Sequence, residues 1–542
     1  MTDPARPNAL FYGDNLDVLR RHIDDESVDL VYLDPPFKSN QDYNVLFAEH
    51  GTKAAAQIKA FEDTWTWDES AARSYEETVE GGGRVADALI ALRSFLGTSD
   101  MMAYLSMMAP RLLELRRVMR ESASIYLHCD PTASHYLKIL MDAIFSPVNF
   151  RNEIVWQRTN AHNTARQYGR IHDILLFYVK SDSYTWNPLM MPFGKAQLGR
   201  YRADKDGRLY TGQDMTASRP NSSSGKFEWR GTMPPPSRGW GYEIQQLEEW
   251  WAAGRILTRK DGTPRMDGLK VYLDEKEGKF LQSIWTDIPR IPNTSPERLG
   301  YPTQKPEALL ERIIAASSKE DDVVLDPFCG CGTAVAAAEK LKRRWIGIDI
   351  THLAIGLIKS RLRDAFGDGI SQTYKVTGEP VTLDDAGELA ATDPYQFQWW
   401  TLGLVGARRD EKKGADKGID GRLFFHDEPT GGKTKQVILS VKAGKLHATH
   451  VRDLHGVIDR ENAEIGVLIS FDEPTQQMRT EAASAGFYAS GYGTKHSRIQ
   501  IITVGELLAG KRIDYPAPRQ TNVTTKRAPK SKAAGGENKR LF

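Results

Sequence analysis

Short apolar runs and helical repeats of apolar residues alternate along the first third of the chain. The runs are rich in β-branched and aromatic residues, which favours strands. They are SVDLVYLD (27–34), SASIYLHC (122–129), NEIVWQ (152–157) and DILLFYV (173–179). Between them, residues 102–119 and 134–145 carry apolar positions at the spacing of a helix. Strands that alternate with helices predict an α/β fold built on a parallel sheet.

Two long segments interrupt this pattern, and the pattern then returns. Residues 38–100 are polar and contain three consecutive glycines, so we predict an inserted loop region there. Residues 181–295 combine proline, glycine and serine with tryptophans and arginines, which indicates a second insertion. The α/β pattern then resumes in PEALLERIIAASS (306–318), DDVVLDPF (321–328), TAVAAAEKLKR (333–343) and RWIGIDI (344–350).

The last third of the chain reads as a linker, a further unit and a tail. We predict the linker from about residue 370 and a smaller α/β unit over 393–510. The tail, residues 511–542, is basic: from residue 512 onward it holds eight Lys or Arg against two Asp or Glu, together with prolines and glycines. Such a composition predicts disorder.

Composition narrows the class of protein without identifying it. A chain of 542 residues predicts two or more domains. The net charge of +1 says little about nucleic acid, because binding depends on a local basic face. Three cysteines are too few for a disulfide framework or a four-thiolate zinc site. With no signal-peptide pattern and no apolar stretch of about 20 residues, we expect a cytoplasmic protein.

The first candidate for chemistry is Asp34-Pro35-Pro36-Phe37, which follows the strand predicted at 27–34. Prolines cannot continue a paired ladder, so the chain must leave the sheet at this point. A carboxylate, a fixed backbone and an aromatic ring therefore stand at a strand end. Alone, this tetrapeptide is most simply a turn.

The second candidate is the stretch DPFCGCGT (326–333), between a strand and an alanine-rich helix. Glycines in this position let the backbone approach a ligand. The next strand ends in Asp349, placed to accept hydrogen bonds from a ribose diol. A dinucleotide fold would require a glycine or alanine three residues after Gly332, where Val335 stands. The pattern therefore predicts nucleoside binding and argues against a nicotinamide enzyme.

Together these two motifs resemble the S-adenosylmethionine-dependent DNA amino-methyltransferases. YPTQKPEALLERII (301–314) and YGDNLDVL (12–19) resemble further segments of that family. The catalytic motif comes first and the donor motifs come last, as in the circularly permuted β group. The resemblance implies a Rossmann-like methyltransferase sheet over 8–370, with an inserted target-recognition region at about 181–295.

The resemblance also implies roles for individual residues. The catalytic set is Asp34, Pro35, Pro36 and Phe37. The S-adenosyl-L-methionine site comprises Asp14, Thr303, Gln304, Lys305, Asp326, Phe328, Gly330, Gly332 and Asp349. Within it, Asp14 faces the adenine and Asp349 the ribose, where the family often has Glu. The last catalytic position is Phe rather than Tyr.

The chemistry explains why such a site needs these groups. An exocyclic amine is a poor nucleophile because its lone pair is delocalised into the ring. Asp34 and the carbonyl of Pro35 would accept its two N–H groups and localise the lone pair, while Phe37 would stack on a base flipped from double-stranded DNA. By resemblance an initial Asp favours adenine N6. Cytosine N4 methylation, and a silent DNA-binding protein, remain alternatives.

For other conspicuous residues we predict a structural role or assign no definite role. We expect the tryptophans of the insertion (Trp229, Trp240, Trp250, Trp251) to form a core, Cys329 and Cys331 to fill space, and His128 to be structural. The arginines of the insertion could reach phosphates or guanine edges. They are Arg219, Arg230, Arg238, Arg255, Arg259 and Arg265.

The unit at 393–510 resembles the Mrr-like type IV restriction endonuclease domain. Asp420 and Lys442 match its pattern, whereas Ser440 stands where Glu or Gln is expected. A preceding helix offers Gln396 and Gln398 where a carboxylate is often found. The resemblance implies Mg²⁺, yet Asp420 is the one clear acidic ligand. Cleavage of DNA, binding of DNA without cleavage, and a dimerisation module that makes a homodimer all remain open.

Overall fold

The computed structural model describes residues 7–36, 66–160, 167–218, 225–301, 303–409, 418–427, 433–516 and 528–531. Its largest feature is a nine-stranded sheet. In chain order the strands are β1 (Asn8–Tyr12), β2 (Val28–Leu33), β3 (Met119–Cys129), β4 (Phe150–Gln157), β5 (His172–Val179), β6 (Ile284–Trp285), β7 (Val323–Asp326), β8 (Arg344–Asp349) and β9 (Tyr374–Thr377). Across the sheet their order is β6-β4-β5-β3-β2-β7-β8-β1-β9.

The central strands are apolar because helices cover both faces of the sheet, as is usual for parallel strands. All six residues of β2 are buried. The helices are Asn15–His22, Glu69–Glu80, Gly83–Leu96, Asp100–Val118, Ser134–Phe145, Glu307–Ser317, Thr333–Lys340 and His352–Phe366, with 3₁₀ turns at Pro147–Asn149 and Asp368–Gln372. The predicted Rossmann-like α/β class is therefore confirmed.

One strand departs from the parallel sheet that the alternation predicts. β5 pairs antiparallel with both β3 and β4. β4 and β5 are consecutive along the chain, and the described residues between them contain no crossover helix. Neighbouring strands connected in this way run antiparallel, since parallel neighbours need a crossover.

The prediction of an inserted loop at 38–100 is wrong for its described part. Residues 66–100 contain the helices Glu69–Glu80 and Gly83–Leu96. Gly81 and Gly82 separate these helices, and Gly83 begins the second one. The second helix buries Val85 and Leu89 on one face, at a helical spacing that the polar neighbours obscure. Residues 37–65 lie outside the described part of the chain.

The segment Pro188–Gln282 forms a compact unit of its own. Its four-stranded antiparallel sheet has the order Ile256–Thr258, Pro264–Tyr272, Leu209–Gln213, Arg202–Ala203. Two strand pairs (Thr216–Ser218 with Arg238–Trp240, Met190–Met191 with Lys279–Phe280), the helices Lys195–Leu198 and Ile244–Ala252, and the 3₁₀ turn Leu273–Glu275 complete it. Trp229 and Trp240 are buried in its core, and Trp250 and Trp251 pack against that core, as predicted.

A second, smaller sheet forms in the last third of the chain. Its order is Arg408–Arg409, Gly421–Phe425, Lys435–Lys442, Ile465–Ser470, Ile499–Thr503, and the last three strands are parallel. The helices Leu383–Thr392, Pro394–Leu404, Ala448–Arg460, Gln476–Ser484 and Val504–Leu508, with the strand pair Phe487–Ala489 and Lys495–Ser497, accompany it. The smaller α/β domain is thus confirmed.

The predicted linker and tail turn out differently. The stretch after residue 370 contains the edge strand β9 and the helix Leu383–Thr392, so it is not a structureless linker. In the tail, the N–H of Ser531 donates to the carbonyl of Ala365 (3.0 Å), while residues 517–527 and 532–542 lie outside the described part.

Among the described helices, none has the length and apolar character needed to span a bilayer.

Candidate functional site

Four carboxylates predicted from separate motifs stand at one edge of the large sheet. β2, β7, β8 and β1 are consecutive parallel neighbours, so their carboxyl ends meet at the same edge. Asp34 follows β2, Asp326 ends β7, Asp349 ends β8 and Asp14 lies just after β1. The fold therefore brings together residues that are almost three hundred positions apart.

The carboxylate of Asp34 is paired with the ammonium group of Lys305. Each of these side chains is only 15% exposed. Pro35 is buried and Pro36 half-buried, whereas Phe37 lies outside the described residues. The strand end of the first motif thus meets, through a charged hydrogen bond, the segment that leads into the helix Glu307–Ser317.

The glycine turn has backbone angles that a residue with a side chain would adopt only with strain. Gly330 and Gly332 have φ values of +51° and +73°. A Cβ atom on Gly332 would lie 2.7 Å from Cγ1 of Ile358, and one on Gly330 would lie 3.1 Å from the ring of Tyr301. The N–H of Cys329 donates to the carbonyl of Ile348 (3.0 Å). Gly332 is therefore required by the space around it as well as by φ, whereas Gly330 is favoured chiefly by φ.

Asp349 is fixed by three hydrogen bonds at the end of β8. The N–H of Gly330 donates to its Oδ2 (2.9 Å), while the N–H and hydroxyl of Thr351 donate to its Oδ1 (2.9 and 2.8 Å). Burial nevertheless raises the pKa of Asp349 to about 6. The glycine turn and the predicted ribose ligand are therefore one hydrogen-bonded unit.

Asp326 is buried beside these groups. Its Oδ1 accepts the N–H of Phe328 (3.1 Å), and the remaining environment is unfavourable to its charge. Burial, followed by the nearby charges of Asp34 and Asp349, raises the pKa of Asp326 well above its usual range. The site thus concentrates acidic groups, which favours a cationic ligand.

Two residues that the sequence did not reveal organise Asp14. Arg111 donates to Oδ2 of Asp14 (2.6 Å) and to Oδ1 of Asn15 (2.6 Å). Asn15 in turn donates to the carbonyl of Pro327 (2.8 Å). Asp14 also caps the helix Asn15–His22 by accepting the N–H of Leu16 (2.8 Å). This network links the turn that follows β1 to the glycine turn.

The segment 301–305 is held by the side chain of Gln304. Gln304 donates to the carbonyl of Glu297 (2.7 Å) and accepts the N–H of Leu299 (2.8 Å). Its amide therefore shapes the loop, while the half-buried Thr303 and the ring of Tyr301 lie in the same segment. Lys305, at the end of the same segment, pairs with Asp34.

His128 belongs to a buried network beneath the Asp34 strand. Its Nδ1 lies 2.9 Å from the hydroxyl of Tyr32, and its Nε2 lies 3.3 Å from Oδ2 of Asp173. Arg158 approaches the other oxygen of Asp173 at 3.3 Å. Charged and hydrogen-bonded partners lower the pKa of Asp173 although burial opposes them. These contacts join β2, β3 and β5, in line with the structural role expected of His128.

The arginines of the segment 188–282 are mostly paired. Arg230, Arg238, Arg255 and Arg265 form ion pairs with Glu248, Asp214, Glu275 and Asp267 respectively. A groove of about 640 Å³ is lined by Arg238, Arg259, Lys260 and Arg265, together with Asp214 and Asp267, the partners of Arg238 and Arg265. Arg219 lies outside the described residues.

The predicted nuclease residues do not form a magnesium site. Oδ2 of Asp420 accepts the hydroxyl of Ser440 (3.3 Å) and the N–H of Val441 (2.6 Å). Lys442 and Gln398 instead line a cavity of about 700 Å³. Throughout the described ranges, no three His, Cys, Asp or Glu side chains cluster so as to hold a metal ion. The described residues therefore do not fit Mg²⁺.

A Rossmann-like sheet whose strand ends carry Asp-Pro-Pro and the glycine turn defines a domain of the methyltransferase class. Residues 28–360 match the DNA methylase family of N6 and N4 methyltransferases, and the chain belongs to this family. Residues 396–509 match the family described as NACHT-associated inactive restriction endonuclease 1. The protein is thus a DNA methyltransferase with an inactive restriction-endonuclease-like domain.

Known proteins resemble the chain over much of its length. Type II methyltransferase M.EcaI of Enterobacter cloacae is 28% identical over 387 residues, covering 70% of this chain and 75% of the relative. The Mod subunit of the type III restriction-modification enzyme StyLTI of Salmonella typhimurium is 26% identical over 62% of this chain and 50% of the relative. The solved PvuII DNA methyltransferase (cytosine-N4-specific) is 12% identical over 66% of this chain and 88% of that chain, with a TM-score of 0.31.

Proposed function

We propose that this protein transfers a methyl group from S-adenosyl-L-methionine to the N6 amine of adenine at specific sites in double-stranded DNA. The observation that carries the proposal is the sheet edge where Asp34-Pro35-Pro36 stands beside the glycine turn and Asp349. The cluster of acidic groups at that edge suits a cationic donor, and membership of the DNA methylase family supports the substrate.

The donor would be held by residues of the glycine turn and its neighbours. These are Asp14, Thr303, Gln304, Lys305, Asp326, Phe328, Gly330, Gly332 and Asp349. When bound, S-adenosyl-L-methionine supplies a methyl group made electrophilic by its sulfonium. Asp349 would accept hydrogen bonds from the ribose, and the turn at Gly330 and Gly332 lets the backbone lie close to the donor.

The target amine would be activated at the end of β2. Asp34 and the carbonyl of Pro35 would accept its two N–H groups, which localises the lone pair on nitrogen. Because Asp34 pairs with Lys305 in the protein alone, the amine would replace the ammonium as the donor to this carboxylate. After transfer the surplus proton on nitrogen would pass to Asp34 or to water, and Phe37 would stack on the base.

Adenine is chosen over cytosine because Asp stands first in the catalytic motif. The deciding experiment incubates the protein with labelled donor and duplex DNA of mixed sequence, then hydrolyses the DNA and identifies the methylated base by mass spectrometry. We expect N6-methyladenine. N4-methylcytosine would overturn the choice of base but not the catalytic site, and no incorporation would overturn the proposed function.

We further propose that residues 8–370 form the methyltransferase domain, with target recognition by about 181–295. The groove at Arg238, Arg259, Lys260 and Arg265 would contact DNA, since cationic side chains bind phosphates and guanine edges. The domain at 393–510 would bind DNA without cutting it, and 511–542 would remain a basic tail.

The absence of cleavage can be tested with plasmid DNA and Mg²⁺. We expect the wild-type protein and an Asp420→Ala variant to leave methylated and unmethylated plasmid equally intact, because Ser440 replaces the second metal-binding side chain. Gel electrophoresis measures the outcome. Mg²⁺-dependent cutting by the wild type that is lost in Asp420→Ala would show an active nuclease and contradict the proposal.

The raised pKa of Asp349 predicts how donor binding responds to pH. The ionised carboxylate accepts the ribose hydroxyls, so the dissociation constant of the donor should rise as pH falls through about 6, by up to about tenfold per pH unit below it. Calorimetric titration on both sides of that pH measures this. An Asp349→Asn variant should bind more weakly and with no inflection near 6. A flat wild-type profile would contradict the assignment.

A further inference from the structure

The inactive nuclease-like domain contacts the segment that follows Asp349. Gln396 lies in the helix Pro394–Leu404 and is 3% exposed. Its Oε1 accepts the backbone N–H of His352 at 3.2 Å. His352 begins the helix His352–Phe366, and the first N–H groups of a helix have no partner within it. Gln396 therefore completes the start of this helix from another domain.

The contact lies three residues along the chain from Asp349, the proposed ribose ligand. Thr351, which precedes His352, donates through its N–H and its hydroxyl to Asp349, and its hydroxyl oxygen accepts the N–H of Ala354 (3.3 Å). A shift of His352 would therefore move Thr351 and reorient the Asp349 carboxylate. The amide of Gln396 stands at the outer end of this short chain of hydrogen bonds.

The ring of His352 makes a second link to the same edge. It stacks on Tyr12 with centroids 3.7 Å apart and an interplanar angle of 16°. Tyr12 is followed by Gly13, whose N–H donates to the carbonyl of Asp349 (3.0 Å). His352 thus connects the ends of β1 and β8, and Gln396 fixes the backbone from which its ring projects.

We propose that Gln396 is a positioning residue for donor binding, through which the inactive domain forms part of the donor site. The inference rests on the proposed role of Asp349. Oε1 of Glu379 lies 3.8 Å from Nδ1 of His352. A neutral amide suits the position because it accepts the N–H without adding a further negative charge near Asp349 and Glu379. The two glutamines of this helix then differ in role, since Gln398 lines the cavity beside Lys442 instead.

The test compares three variants of the full-length protein. Gln396→Met keeps the volume but removes the acceptor, Gln396→Glu keeps an acceptor, and Gln398→Ala is the control from the same helix. We expect Gln396→Met to raise the KM for S-adenosyl-L-methionine about five- to tenfold, as for one lost hydrogen bond. The kcat and the KM for DNA should stay unchanged. Gln396→Glu should recover only part of the loss, because it keeps the acceptor but adds a negative charge, and Gln398→Ala should match the wild type.

The alternative outcomes separate this inference from the proposed function. If wild-type protein binds the donor and Gln396→Met binds it equally well, the inference is overturned while the function stands. A parallel loss of kcat, DNA affinity and Tm would mean general destabilisation, and would also overturn it. If calorimetry detects no donor binding by the wild type, the proposed function itself fails.

Discussion

Replacing Asp34 with asparagine is expected to lower the rate of methyl transfer by about 10²–10³-fold, the usual cost of removing one preorganised electrostatic group from an active site. Asparagine has nearly the shape of aspartate but presents one neutral acceptor, so it would localise the lone pair of the target amine far less. Donor affinity should fall much less than the rate, because Asp34 is one of four carboxylates at the sheet edge that suit the cationic donor. Transfer of labelled methyl to DNA and calorimetric binding of the donor measure the two effects separately.

A suitable control for Asp34→Asn removes a carboxylate that also pairs with a cationic side chain but lies outside the proposed active site. Asp182 pairs with Arg151 and is 84% exposed, and exposed pairs contribute about 1 kcal/mol or less. Asp182→Asn should therefore retain wild-type transfer. If Asp34→Asn keeps more than a tenth of wild-type activity, as judged against Asp182→Asn, the catalytic role of Asp34 is wrong.

The ion pair between Asp34 and Lys305 explains why local spacing could predict the two halves of the site but could not join them, a step that only the family resemblance supplied. Each half is a local pattern: Asp-Pro-Pro after an apolar run, and a lysine-containing segment before a helix. Their contact depends on β2 lying beside β7, a pairing between residues almost three hundred positions apart. Strand order of that kind is set by the whole core, and no local spacing encodes it.

Arg111 shows a different limit of sequence reasoning. The apolar spacing of residues 102–119 predicts a helix, which spans Asp100–Val118 in the structure, and Arg111 is one of several charged residues along it. Only in the folded chain does Arg111 meet Asp14 and Asn15. Burial lowers the pKa of Arg111 although Asp14 opposes that shift. A buried polar network of this kind cannot be predicted from local sequence, because tertiary structure alone brings its members together.

The errors around residues 66–100 and 370–393 have a common cause. In both stretches the polar residues and glycines favoured a prediction of loop over the helical spacing of the apolar residues. The helices Gly83–Leu96 and Leu383–Thr392 nevertheless each bury a regular face. The edge strand β9 is four residues long and half-exposed, so its apolar signal is weak. In contrast, Ser440 already indicated from sequence that the nuclease-like metal site was incomplete, because a single side-chain identity was enough.

Gly332→Ala is expected to give the second large effect, a loss of donor binding together with a lower Tm. Gly332 has φ of +73°, and the left-handed region costs an alanine about 1–2 kcal/mol. The added Cβ would lie 2.7 Å from Cγ1 of Ile358, and relieving such overpacking costs about 1–3 kcal/mol more. Since we propose that this turn also forms part of the donor pocket, the backbone shift should weaken donor affinity more than about tenfold.

Gly356→Ala provides the matched control in the helix that carries Ile358. A Cβ on Gly356 meets nothing within 4 Å, and alanine is favoured over glycine inside a helix by about 0.5–1 kcal/mol. This variant should therefore bind the donor normally and unfold at the wild-type temperature or slightly above it. Thermal unfolding and donor titration of both variants decide the matter. Equal behaviour would mean that the turn tolerates a side chain, and the donor pocket would then have to lie elsewhere on the sheet edge.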